Sequence, residues 1–195
     1  STVIRDSALK GANSVSYPAT NLAKQLGIVA KLITGGLETP VYLCTIGGFD
    51  THANQLNQHA NLWKQISDAV TAFQKDLKTQ NKADNVTLMT FSEFGRRVNQ
   101  NGTTGTDHGT AAPMFIIGNT VRGGLIGDNP NLVNLDSNGD LKANFDYRQV
   151  YSTILSDHLG LSTTSTAGMW KSARTGPRRA PARGRPGTAT TGSIP

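Results

Sequence analysis

The feature that most constrains this 195-residue chain is a long amphipathic segment, residues 53–80, that lies between two short apolar runs. Apolar side chains recur in it at helical spacing: Leu56, Trp63, Ile66, Val70, Phe73 and Leu77. This period places them on one face of a long helix, which must bury that face against other elements. The segment therefore predicts a helix that packs on a core.

The flanking apolar runs, residues 41–46 and 86–91, are rich in β-branched and aromatic side chains and predict buried strands. A strand, a long helix and a second strand form a βαβ unit, which implies a parallel sheet covered by helices. A third apolar run, residues 113–118, is a further strand candidate. We therefore predict the α/β fold class, with a sheet that contains parallel strands flanked by helices.

The remaining segments complete this outline. Residues 20–33 and 147–159 have helical spacing, and Gly-, Thr- and Asn-rich residues 99–110 predict a loop. We divide the chain into a helical or irregular lead-in (1–38), an α/β domain (39–160) and a basic tail (161–195).

The net charge of +6 belongs to the tail alone. Residues 171–195 hold six Lys and Arg residues and no acidic residue, so residues 1–170 are neutral overall. The tail is rich in Pro, Gly, Ala and Thr, which predicts disorder and no contribution to folding. No aromatic side chain alternates with its arginines, so nucleic-acid binding ranks last among the functions considered.

Several classes of protein are excluded by composition. No apolar run reaches the 18 or so residues of a membrane span, and one cysteine, Cys44, allows no intrachain disulfide. No signal peptide is visible, and the chain starts at Ser1 rather than Met. We expect a processed or excised segment of a longer protein.

Polar side chains cluster at three places near the predicted strands. Asp50 and His52 follow strand 41–46, Glu93 and Arg96 follow strand 86–91, and Asp107-His108 precedes strand 113–118. Ligands bind beyond the carboxyl ends of strands in parallel sheets, so we expect the clusters to converge at one edge. Carboxylates and imidazoles together bind divalent metals, and arginine holds anions through forked hydrogen bonds. The alternatives are a helix-capping Asp50, a surface ion pair at Glu93 and a solvated loop at 107–108.

His59 lies on the apolar face of the predicted helix, between Leu56 and Trp63. Helical rise separates it from His52 by about 10.5 Å, so the two imidazoles cannot bind one ion. We expect His59 to be a hydrogen-bonded residue behind the ligands rather than a ligand.

Three motifs in order, Gly47 to His52, Ser92 to Arg96 and Gly105 to Gly109, resemble a bacterial exported family, "domain of unknown function 1501". The resemblance runs from about Thr39 to Gly160. It places the chain near the alkaline phosphatase–sulfatase superfamily and implies an α/β sandwich of which this chain is the C-terminal half. In the superfamily pattern, Glu93 stands for a metal-binding aspartate, while Phe94 replaces a metal-binding histidine.

What the resemblance implies is a metal-dependent hydrolase of phosphate or sulfate esters. Five residues would bind the metal: Asp50, His52, Glu93, Asp107 and His108, with Asp107 either a ligand or an orienting group. Arg96 would bind the anionic ester. Zinc, manganese, magnesium and calcium all remain open.

The resemblance also implies an exported protein, periplasmic or secreted, whose nucleophile lies in an N-terminal half of the same precursor. The alternative is a binding or structural protein that keeps the fold without turnover, which the replacement at Phe94 and the missing nucleophile favour.

Overall fold

A computed structural model describes residues 2–162 of the chain. It contains α1 (Thr2–Lys10), α2 (Asn21–Thr34), α3 (Gln55–Thr79), a 3-10 turn (Ala83–Asn85), β1 (Leu88–Met89), β2 (Gly95–Gln100), β3 (Thr106–Gly109), β4 (Ile116–Ile117), α4 (Tyr147–Thr153) and a π-helical turn (Ile154–His158). The predictions for the basic tail beyond residue 162 lie outside the described residues.

The core forms where α2 packs against α3, and both helices lie where helical spacing predicts them. α2 begins at Thr20, whose hydroxyl accepts a hydrogen bond from the amide of Ala23 at 3.4 Å. Small side chains let the two helices approach closely, and larger ones fill the space between them. The buried cluster consists of Leu22, Ala23, Leu26, Ala30, Ala69, Phe73, Leu77 and Ala83.

One buried charge lies at the C-terminal end of α3. Asp76 is 0% exposed and accepts five hydrogen bonds, which we call the Asp76 network. Its donors are Asn13 Nδ2 (2.9 Å), Ser14 N (2.8 Å), Ser14 Oγ (2.6 Å), Tyr17 OH (2.9 Å) and Gln80 Nε2 (2.8 Å). Burial alone would raise the pKa of Asp76, but these hydrogen bonds outweigh it and lower the pKa. The network fastens residues 13–17 to α3.

The described residues form helices and two small antiparallel sheets, so the chain mixes α and β structure without the predicted parallel strands. In one sheet β1 pairs with β4, joining Leu88 to Ile117 and Met89 to Ile116. In the other, β2 pairs with β3 as a hairpin. The apolar runs 86–91 and 113–118 do contain strands, but they are neighbours in an antiparallel pair.

Residues 41–46 form no strand, contrary to the prediction. The segment is bound to α2 through one side chain, because Gln25 donates to the carbonyl of Thr45 and accepts from its amide, each at 2.9 Å. Cys44 and Ile46 pack on the core, whereas Val41 and Leu43 are 66% and 70% exposed. The alternation of side chains is that of a strand, but no backbone partner lies beside it among residues 2–162.

Two further details differ from the sequence-based expectations. Leu56, placed on the buried face of α3, is 82% exposed, because the first turns of α3 extend beyond the core. Residues 99–110 were expected to form a loop, but most of them belong to the β2–β3 hairpin, whose polar side chains give no strand pattern in the sequence. Within the described part of the chain, no helix has the length and apolar character that crossing a membrane requires.

Candidate metal centre

The first two candidate ligands lie on the turn that leads into α3. Gly48 has a φ of 94°, a conformation that suits glycine, and the chain turns there into Asp50. The next side chain, Thr51, is buried and accepts a hydrogen bond from Gln55 Nε2 at 2.9 Å, which ties the turn to the first turn of the helix. His52 follows on the exposed side. The local fold thus presents Asp50 and His52 together at the N-terminal end of α3.

The third candidate ligand, His108, lies on β3 opposite Arg96 of β2. The hairpin loop, residues 101–105, rests on the backbone after His52, where Ala53 and Thr104 form an isolated antiparallel bridge. A Cβ atom on Gly105 would lie 2.2 Å from the carbonyl carbon of His52, so glycine permits this contact. The contact brings β3 to the turn that carries Asp50 and His52.

Three ligand atoms meet there, and we call them the metal triangle: Asp50 Oδ1, His52 Nε2 and His108 Nε2. Asp50 Oδ1 lies 2.9 Å from His52 Nε2 and 2.7 Å from His108 Nε2, and the two nitrogens are 3.2 Å apart. Two ligands about 2.1 Å from an ion and at right angles to each other are about 3.0 Å apart. The triangle therefore has the size of one face of a metal coordination sphere, and the three residues form a possible metal-binding triad.

The tautomer of His52 determines which atoms of the metal triangle carry a lone pair and which carry a proton. His52 Nδ1 lies 3.2 Å from Asp107 Oδ1, so the proton of a neutral His52 belongs on Nδ1. Its Nε2 then carries a lone pair, which faces a carboxylate oxygen and a second imidazole nitrogen. One ring proton on His108 Nε2 points along a single edge of the triangle, whereas a cation attracts all three atoms. The donor set fits a metal ion.

Asp107 lies behind His52 rather than in the metal triangle. It accepts hydrogen bonds from Asn101 Nδ2 and from His52 Nδ1, each at 3.2 Å. These bonds, with that from Asn101 the stronger influence, lower the pKa of Asp107. A carboxylate on the second nitrogen of a metal-binding histidine fixes the ring and its tautomer. Of the two roles expected for Asp107, the geometry favours orientation.

His108 is held by stacking. Its ring lies on the ring of Phe94, with centroids 3.9 Å apart and planes 7° from parallel. The guanidinium of Arg96 lies 5.0 Å from the centroid of Phe94. Phe94 thus orients one of the imidazoles of the metal triangle.

The carboxylate of Asp50 is exposed but surrounded by positive or proton-donating groups. Its hydrogen bond with His108 lowers the pKa of Asp50, and the charges of the neighbouring His52 and Arg96 act in the same direction against a partial desolvation. Asp50 therefore remains a carboxylate, the form that binds metal.

Comparison with protein families identifies the chain. The family described as "Protein of unknown function (DUF1501)" matches residues 23–168. The chain belongs to the DUF1501 family. No curated protein and no solved structure matches it. The three motifs that carry the resemblance all lie within the matched range, as does every residue of the metal triangle.

Arg96 reaches the centre, but its amino nitrogens are already engaged. Nη1 donates to the carbonyl of Thr106, and Nη2 donates to that of Phe49 at 2.5 Å. Nη2 also lies 3.7 Å from Asp50 Oδ1, and the side chain is 17% exposed. Arg96 therefore joins the turn before Asp50 to β3, and its contact with a substrate stays a prediction.

The other two predicted residues lie apart from the metal triangle. Glu93 is exposed, and among residues 2–162 the group of ligand atoms does not include it. His59 accepts a hydrogen bond from Trp63 Nε1 at 2.5 Å and meets the ring of Phe49 edge-on at 5.6 Å. Since Phe49 also binds Arg96 through its carbonyl, His59 supports the turn from behind.

Sequence reasoning missed Asn101, which bonds to both His52 and Asp107. Its only signal is its place in Asn101-Gly102-Thr103-Thr104-Gly105, a run of turn-forming residues before Asp107. Such runs are common, and nothing in this one indicates that its asparagine faces a site.

Proposed function

We propose that this domain binds a divalent metal ion at the metal triangle and serves in metal-dependent hydrolysis of phosphate or sulfate esters. The observation that carries the proposal is the convergence of three ligand atoms within 3.2 Å, from residues 56 and 58 positions apart in the chain. With both imidazoles neutral and the proton of His52 on Nδ1, one edge of the triangle carries a proton, and a cation would attract all three atoms.

The shape of the centre supports a reactive rather than a closed site. All three side chains are substantially exposed, and they occupy one face of a coordination sphere, which leaves the other face to water or substrate. Asp50, His52 and His108 would hold the metal ion, which would supply Lewis acidity toward an ester oxygen and toward the charge of the transition state. The ester class comes from the resemblance of the motifs to the alkaline phosphatase–sulfatase superfamily, which would also place the protein outside the cytoplasm.

This chain's own residues would prepare the ligands. Asp107 keeps His52 in the tautomer that exposes Nε2, and Phe94 keeps the ring of His108 in place. Arg96 holds the turn of Asp50 against β3. No nucleophile is assigned among these residues, and in this proposal another part of a longer precursor would supply it.

The first experiment measures metal binding. Metal-depleted protein should bind one Zn²⁺ or Mn²⁺ per chain in calorimetric titration, and His52→Ala or His108→Ala should each weaken binding at least about 100-fold, since even residues behind the ligands contribute about 10–100-fold. His158→Ala is the matched control, because His158 lies 3.3 Å from Thr87 and outside the triangle.

Activity is measured second, on the full precursor with aryl phosphates and aryl sulfates. Hydrolysis that disappears in both triangle variants and persists in His158→Ala would support the proposal. Stoichiometric metal without hydrolysis would indicate a binding protein that keeps the fold. Absence of metal binding by the wild-type protein would overturn the proposal altogether.

A further inference from the structure

Asn101 is the first residue of the hairpin loop between β2 and β3, and it closes that loop on itself. Its backbone amide donates to the carbonyl of Gly105 at 2.9 Å, and its Oδ1 accepts from the amide of Gly105 at 3.0 Å. Oδ1 also accepts from the amide of Thr103 at 3.0 Å. The oxygen end of the side chain therefore shapes the loop.

The nitrogen end of the same side chain faces the metal centre. Asn101 Nδ2 donates to the backbone carbonyl of His52 at 2.9 Å and to Asp107 Oδ1 at 3.2 Å. The backbone amides of Thr103 and Gly105 donate to Oδ1 and two acceptors surround Nδ2, so only one orientation of the amide satisfies every group. The side chain thus has two separable parts, an acceptor used by the loop and a donor used by the centre.

Both acceptors of the Asn101 Nδ2 donor act on the same candidate ligand, His52. The carbonyl is that of His52 itself, and the carboxylate of Asp107 is the group that faces His52 Nδ1. Asn101 consequently restrains His52 at its backbone directly and at its ring through Asp107. A histidine held at both points has little freedom to turn its Nε2 out of the triangle.

We propose that Asn101 is a positioning residue of the metal centre, which aims His52 Nε2 at the metal through its Nδ2 donor. This inference rests on the proposed function, since it concerns affinity for the metal bound there. Asn101 does not touch the metal or the substrate, and acts only through His52 and Asp107.

The deciding variant is Asn101→Asp, because it keeps an oxygen acceptor for the loop and replaces the donor by a second oxygen. We expect metal affinity to fall about 10–100-fold, the range for residues behind a ligand, with the thermal midpoint unchanged. An added carboxylate close to a cation site would by itself strengthen binding, so a loss has the opposite sign from the charge effect. Asn99→Asp is the matched control, since it adds the same charge on exposed β2.

The readout is Co²⁺, whose visible spectrum responds to ligand geometry, titrated into metal-depleted protein. Asn101→Asp should change both the spectrum and the affinity, whereas Asn99→Asp should change neither. Thr103→Val loses the hydroxyl that donates to the His52 carbonyl at 2.6 Å but leaves Asn101 bonded to Asp107, so its effect should be smaller.

A double variant keeps the inference falsifiable if Asn101→Asp loosens the loop. Because Asn101 acts on the ring of His52 through Asp107, the loss of Co²⁺ affinity in Asn101→Asp combined with Asp107→Asn should be smaller than the sum of the two single losses. Additive losses, or an Asn101→Asp protein with wild-type affinity and spectrum, would overturn the inference while leaving the metal site intact. Failure of the wild-type protein to bind Co²⁺, Zn²⁺ or Mn²⁺ would instead remove the proposed function on which it rests.

Discussion

Two carboxylates at opposite ends of α3 show how the same chemical group serves different purposes. Asp76 is 0% exposed and is surrounded by five hydrogen-bond donors. Asp50 has a side chain 66% exposed and lies within 2.9 Å of two imidazole nitrogens. The Asp76 network is complete as it stands, because fixed protein hydrogens satisfy the charge. The metal triangle has fewer fixed donors, and its three ligand atoms form a possible site for a cation.

The comparison shows that a lowered pKa does not tell the carboxylate of the candidate site, Asp50, from the structural carboxylate, Asp76, and that the buried one of the two is the structural one. Both Asp50 and Asp76 have a lowered pKa. The difference lies in the partners: amide, hydroxyl and phenol donors at Asp76, and at Asp50 the imidazole of His108 together with the lone pair that His52 Nε2 carries when its proton is on Nδ1. Each of the following predictions tests whether that difference is real.

The largest expected effect is on stability, from Asp76→Asn. The amide nitrogen of the new side chain would face donors, which leaves buried groups without acceptors and should lower the free energy of unfolding by about 3 kcal/mol. Urea unfolding of metal-depleted protein at neutral pH measures this. The control is Asp68→Asn, which removes only an exposed ion pair with Lys64 and should cost less than about 0.5 kcal/mol. A loss below 1 kcal/mol for Asp76→Asn, on the order of a single ordinary hydrogen bond, would show that the network is not structural.

The second prediction concerns metal affinity at the other end of α3, with the free energy of unfolding nearly unchanged. Asp50→Asn removes the anionic member of the metal triangle, so affinity for Zn²⁺ or Mn²⁺ should fall at least about 100-fold while urea unfolding stays within about 0.5 kcal/mol of the wild type. Glu93→Gln is the control from the same set of sequence-predicted ligands, and its affinity should remain within about twofold. Equal losses of metal affinity in Asp50→Asn and Glu93→Gln would show that Glu93 is also a ligand.

The smallest expected effect is a change in how the free energy of unfolding depends on pH in acid. Because the pKa of Asp76 is lower in the folded protein than in the unfolded chain, its contribution is present above the unfolded value of about 3.9 and is lost as pH falls through the folded value. The stability difference between wild type and Asp76→Asn should therefore shrink below about pH 4. Unfolding curves at successive pH values measure it, and a difference that grows on acidification would contradict the sign.

Local sequence patterns predicted the helices correctly. They did not predict the strand pairing, because a strand depends on the backbone of a neighbouring segment. α2 and α3 follow from periodic apolar side chains, because the period itself defines the buried face. Residues 41–46 have the composition of a strand, but pairing needs a second backbone, and Gln25 supplies only a side chain. The β2–β3 hairpin was missed because its strands are polar and lie at the surface.

Three of the predicted ligands converge, whereas the parallel sheet expected to hold them is absent from the described residues. Asp50, His52, Glu93 and His108 were all chosen by residue type, by motif and by position beside a predicted strand. The turn before α3 and the β2–β3 hairpin bring Asp50, His52 and His108 together, and Glu93 lies outside that contact. The role of Asn101 was not accessible from sequence, because it arises from two contacts, with residues 49 and 6 positions away, that only the folded hairpin creates.

The length of α3 has a consequence for how this domain can change. Its 25 residues span about 37 Å, so the metal triangle and the Asp76 network lie at opposite ends of a long helix. Substitutions at sites so far apart, without shared partners, act additively. Variation around the turn and the hairpin can therefore change the candidate ligands without destabilising the fold. The two ends of this one helix are thus free to evolve separately.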